Sequence, residues 1–264
     1  MLCPKCQWEQ DETRHECMRC GIVFAKVIEA SARASSLLKA DRPNTNRNPA
    51  HQEAWWLVLV REWMLRVEDS INPLYFAGRV IVFVVLSVWG WKLMITPLET
   101  NYTGESFLHL INLPFHEAGH LIFMPFGRFM MVLGGTLGQI LIPVICLGTF
   151  LIKTRDAFGA SVALWWTAEN FMDIAPYIND ARALELMLLG GVTGREVEGH
   201  DWEYLLTKLG WLSYDHLLAR GSYRVGTIVM AIALLWGGIL LIKQYRHLDL
   251  GKRTSRRVRG GRVR

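Results

Sequence analysis

Phe107-Leu-His-Leu-Ile-Asn-Leu-Pro-Phe-His-Glu-Ala-Gly-His-Leu-Ile-Phe-Met-Pro-Phe126 is an apolar stretch of membrane length that carries three histidines and a glutamate. A helix needs about 20 mostly apolar residues to cross a ~30 Å hydrocarbon core. Ionisable side chains at that depth are costly unless they are paired, coordinated or hydrated. His116-Glu117-Ala118-Gly119-His120 therefore needs a reason to be there. Histidines four positions apart lie on one helix face, one turn apart. Both imidazoles can then reach one zinc ion, with Glu117 beside it to take a proton from bound water. His109, about two turns upstream, reads as an interfacial residue.

Outward from this stretch the chain is 51% hydrophobic, with its apolar residues clustered. Four further runs approach span length: 74–95, 129–152, 157–178 and 225–242. Arg79 and Lys92 lie near the ends of the first, where long side chains snorkel. The expected fold class is mainly α, a multi-span helical membrane protein with a small N-terminal four-cysteine zinc ribbon. Its divisions are a ribbon at 1–28, a linker at 29–54, an interfacial amphipathic helix at 55–72 and a membrane core at 73–180. An extramembrane amphipathic segment at 181–224, a last transmembrane helix at 225–242 and a basic tail at 243–264 complete it. Trp55, Trp56 and Trp63 suit headgroup depth. Five spans are an odd number, whereas a reduced cysteine module and a basic tail both favour the cytoplasmic side. The Pro114, Pro125, Gly127 and Gly134-Gly135 region is the place expected to be broken or re-entrant.

Cys3-Pro-Lys-Cys6 and Cys17-Met-Arg-Cys20 are two metal-clamping pairs ten residues apart. Four thiolates complete a tetrahedral structural zinc site. Lys5, Arg14 and Arg19 in this module are opposed by Glu9, Asp11, Glu12 and Glu16, so no nucleic acid is expected. The tail from Lys243 to Arg264 has nine Lys or Arg against Asp249 alone. Anionic lipid headgroups are its expected partner. No secretory signal peptide opens the chain, so targeting is expected to rely on the first span.

A catalytic zinc usually takes three protein ligands. The stretch from Glu169 to Asp180 holds the other buried acids. Asp173 is the expected third ligand, with Asp180 and Glu169 as alternatives. If Glu169 binds the metal, Asp173 orients a histidine. Asn170 is placed to hydrogen-bond a substrate backbone or a developing oxyanion. His200 and His216 read as surface or capping residues.

A His-Glu-x-x-His span, a Gly-rich stretch and a later span with Asn and Asp resemble the site-2 protease family of intramembrane metalloproteases. The resemblance covers about 74–180. It implies that His116, His120 and a later aspartate (Asp173 or Asp180) bind a catalytic zinc, with Glu117 as catalytic base. The family's Asn-x-x-Pro stretch leading to Leu-Asp-Gly is absent. Glu169-x-x-x-Asp173 resembles the gluzincin pattern instead, which also occurs in membrane peptidases. The resemblance implies an integral protein of a prokaryotic plasma membrane, with the ribbon cytoplasmic, that cleaves membrane-anchored or membrane-proximal protein substrates. The rival expectations are a non-catalytic membrane scaffold with structural zinc sites and a metal transporter.

Overall fold

The computed structural model describes residues 1–9, 11, 15–26, 58, 60–68 and 71–260, with side chains as far as 248. The linker at 29–54, Trp55, Trp56 and the last four residues lie outside them. The chain forms two compact units, Met1–Trp55 and Trp56–Arg264.

In the second unit α1 is Pro73–Ile95, α2 Phe107–Phe123, α3 Arg128–Thr149, α4 Ala157–Asn179, α5 Asp201–Leu209 and α6 Asp215–Gly260. Local chemistry sets the starts. Asn72 accepts the Leu74 N–H at 2.8 Å, and Pro73 brings the φ a first helical turn needs. Ser106 caps α2, and Asp156 accepts the Phe158 N–H to start α4. Gly210, at φ +70°, ends α5, a left-handed position that costs glycine little.

Among the described residues, three helices are long and apolar enough to cross a membrane: Pro73–Ile95, Arg128–Thr154 and Leu212–Leu248. On α1 the apolar side chains Leu74, Ile81 and Val88 are exposed, as are Ile228, Ile232 and Leu235 on α6. Exposed apolar faces of this extent mark contact with lipid or protein. Of the five expected spans, α1, α3 and α6 meet this measure of length and composition, whereas α2 and α4 do not. α2 has 17 residues, about 26 Å of helix, shorter than the bilayer core. α4 is sheathed by other helices and buries Glu169, Asn170 and Asp173, so lateral packing takes the place of apolar composition.

α4 is the central helix. Trp165, Ala168 and Met172 pack with Leu93 of α1 and with Met230 and Ala233 of α6. Further along, Ala157, Phe158 and Ala160 meet Trp236, Leu240 and Leu241. At Gly226 of α6, a Cβ would stand 2.7 Å from the Ala168 carbonyl oxygen. That glycine lets the two helices approach closely.

The region expected to break does turn sharply. A 3-10 turn at Met124–Phe126 follows α2, and Gly127 at φ +93° reverses the chain into α3. The segment 181–224 is no separate appendage. α5 buries Leu205 and Leu206, Arg182 pairs with Asp215 at 2.7 Å, and α6 begins ten residues before the expected 225. Over 55–72, the regular structure described is a π-helical turn at Val60–Met64.

Candidate metal centres

The N-terminal unit is built from two equivalent turns. The Gln7 N–H donates to the Cys3 carbonyl at 2.9 Å, and the Gly21 N–H to the Cys17 carbonyl at 2.8 Å. Cys3 N–H reaches the Trp8 carbonyl and Cys17 N–H the Ile22 carbonyl, each at 3.0 Å. The sulfurs of Cys3 and Cys20 stand 3.7 Å apart, as do those of Cys6 and Cys17. Zinc–sulfur bonds of about 2.3 Å give tetrahedral edges of about 3.8 Å. These four cysteines can therefore hold one metal ion. Apart from the cysteines, the apolar cluster here is Phe24 and Ile22. A metal held by the four thiolates would add the folding free energy that so small a core lacks.

In the second unit His116, His120 and Asp201 converge, their donor atoms all within 4.8 Å of one another. Asp201 Oδ2 lies 3.0 Å from His116 Nε2 and 3.3 Å from His120 Nε2. Bonds of about 2.0–2.1 Å to a tetrahedral zinc give edges of about 3.4 Å, so the donor set fits. The outer nitrogens of both rings are engaged. His120 Nδ1 is 2.9 Å from the Met131 carbonyl, which can only accept. His116 Nδ1 is 3.2 Å from Gln139 Oε1. Each Nδ1 carries the proton, and each Nε2 lone pair faces the metal position.

Gly135 of α3 makes room for this cluster. A Cβ there would stand 2.5 Å from His116 Nε2 and 2.6 Å from His120 Nε2. Asp201 opens α5, where the helix N-terminus favours a carboxylate. Its own N–H donates to the Tyr177 hydroxyl at 2.9 Å. Burial works to raise the Asp201 carboxyl, but the neighbouring His116 and His120 outweigh it and hold the group below its ordinary range. His200 caps α5 by accepting the Glu203 N–H at 3.1 Å. Burial pushes its imidazole below the usual value, against the pull of Asp180 and Asp201.

None of the acids expected as ligands joins this group, although Asp173 lines the cavity on which the histidines open. Asp173 is shared among His109 Nδ1 at 3.0 Å, Asn112 Nδ2 at 3.1 Å and Gln139 Nε2 at 2.8 Å. Because Gln139 also accepts from His116, Asp173 orients that ligand at one remove. Asp180 accepts the backbone N–H groups of Glu185 and Leu186 and fixes the loop after α4. Glu169 accepts from Asn112 at 2.9 Å. Asn170 is fully buried and donates back to the Trp166 carbonyl; it does not line the cavity described next. The sequence marks Asp201 only by generic helix features, which do not single it out as a ligand. It is an acid at a helix start, and that helix carries the apolar pair Leu205-Leu206.

A cavity of about 350 Å³ opens on the histidines. Glu117, His109 and Tyr177 line it from the helices, and Leu186 to Leu189, Val192 and Val197 from the loop. That loop folds back at Gly190 and Gly191, both at positive φ, with the Leu188 N–H on the Val192 carbonyl at 2.7 Å. No protein-family model, curated protein or solved structure matches this chain.

Proposed function

We propose that this chain is an integral-membrane zinc metallopeptidase, akin to the site-2 protease family, with His116, His120 and Asp201 as ligands of the catalytic metal. The observation that carries the reading is the convergence of two Nε2 lone pairs and one carboxylate on a single point, in a cavity that Glu117 also lines. A zinc ion held there supplies Lewis acidity and brings the pKa of its water toward ~7. The protein's residues do the rest. Met131 and Gln139 fix the imidazole tautomers. Glu117 accepts the proton of the attacking water and delivers it to the departing amide nitrogen. The apolar loop side chains hold an extended, membrane-proximal peptide segment against the histidines.

Asp201 replaces Asp173 in this proposal because the Asp173 oxygens already serve His109, Asn112 and Gln139. The test is Glu117→Gln in purified protein, assayed on casein and on a single-span membrane protein with an unstructured juxtamembrane segment. Hydrolysis by the wild type should fall at least ~100-fold in the variant, the scale of general-base loss, while zinc content stays unchanged. A Glu117→Gln protein that cleaves at the wild-type rate refutes the peptidase reading.

A further inference from the structure

A second cavity, of about 650 Å³, lies away from the metal centre and is lined by Arg61, Glu62, Leu65, Arg66, Val67, Lys243, Arg246 and His247. Four cations from two distant parts of the chain thus face one acid. Among the described residues, Arg61, Arg66 and Arg246 make no hydrogen bond or ion pair. The convergence is held in place by two hydrogen bonds to backbone carbonyls. Trp236 Nε1 donates to the Met64 carbonyl at 2.7 Å, and Lys243 Nζ to the Leu65 carbonyl at 3.4 Å. Like charges gathered this way repel one another, so the arrangement calls for an anion.

Depth identifies the anion. On α6 the uncharged run 225–242 ends at Lys243, and on α1 the apolar run begins just after Pro73. The two ends are level, because the Phe76 and Tyr245 rings lie 6.2 Å apart. Both long apolar helices thus turn polar beside this cavity. Tyr75, Tyr245 and Trp63 are exposed near it, the side chains that settle at the membrane–water boundary. We propose that this cavity binds the headgroup phosphate of an anionic phospholipid. A zwitterionic headgroup brings its own cation and leaves the excess positive charge of the cavity in place. The site joins Lys243 and Arg246, at the start of the basic tail, to Arg61 and Arg66, and does not use the tail beyond 248. It rests on the membrane-spanning reading of α1 and α6 and is independent of the peptidase reading.

The experiment is native mass spectrometry of the full chain in detergent, titrated with phosphatidylglycerol or phosphatidylcholine. The wild type should prefer phosphatidylglycerol by about 100-fold, the combined weight of several surface cations. Arg61→Gln/Arg66→Gln/Arg246→Gln should lose that preference while keeping wild-type zinc content. The corresponding Lys triple variant should retain it, which separates loss of charge from loss of fold. Arg256→Gln/Arg257→Gln/Arg259→Gln, in the tail, should retain it as well. The proposal is overturned if the first variant keeps the preference, if the Lys or tail variant loses it, or if inorganic phosphate displaces the lipid at equal concentration.

Discussion

Gln139 joins two parts of the site that share no direct contact. Its amide nitrogen donates to Asp173 at 2.8 Å, and its oxygen faces His116 Nδ1 at 3.2 Å. The buried carboxylate thereby settles which way the amide points, and the amide settles which imidazole nitrogen carries the proton. Gln139→Ala should weaken zinc binding at the histidine site by about 10–100-fold, as loss of such supporting partners does. Competition with a chromophoric chelator measures this, and unchanged affinity would remove Gln139 from the account. At this scale the pairing of His116 and His120 was legible, because two metal-binding side chains at i and i+4 leave a local signature. Asp201 was not. It lies 81 residues beyond His120, and its approach depends on how the loop after α4 folds back. Depth matching along the spans selected Asp173, which does reach the network but at one remove from the metal position. Asn170 was legible as a buried polar residue, yet spacing could not show that its amide turns back to its own helix.

The α2–α3 hairpin is the element that makes the histidines converge on α3. A methyl at Gly119 would collide with the Gly134 carbonyl, and one at Gly134 would stand 2.6 Å from the Gly119 carbonyl oxygen. Gly138 similarly meets the Phe115 carbonyl. Backbone thus packs on backbone, as small residues allow between membrane helices. Gly119→Ala should separate the pair and destabilise the fold by about 1–3 kcal/mol, the usual cost of overpacking. A thermal melt in detergent reads the loss, and a wild-type midpoint would show that the helices do not pack this closely. Helix existence was legible from apolar runs in all five cases. Which of them can stand alone in a bilayer was not, because hydropathy along one segment carries no record of its neighbours. α4 shows this most clearly. Its Glu169 and Asp173 are tolerated through Asn112 and Gln139, which come from two other helices.

At the scale of the molecule, two groups among the described residues can each hold a metal ion, the four cysteines in one compact unit and His116, His120 and Asp201 in the other. The four-cysteine group was fully legible, since its ligands lie within 18 residues and the pair spacing alone specifies it. The membrane character was legible from composition, and three long apolar helices agree with it. The role of 181–224 was not legible. A polar, amphipathic stretch reads as peripheral, whereas Asp201, Leu205 and Leu206 are among its inward-facing residues. Zinc stoichiometry after equilibration with excess zinc and removal of the unbound ion puts the central assignment to the most direct test. Two zinc ions per chain are expected for the wild type, one for each group. Asp201→Ala should retain one, while Asp173→Ala should retain two. An Asp201→Ala protein that keeps both ions, beside an Asp173→Ala protein that loses one, would contradict the assignment.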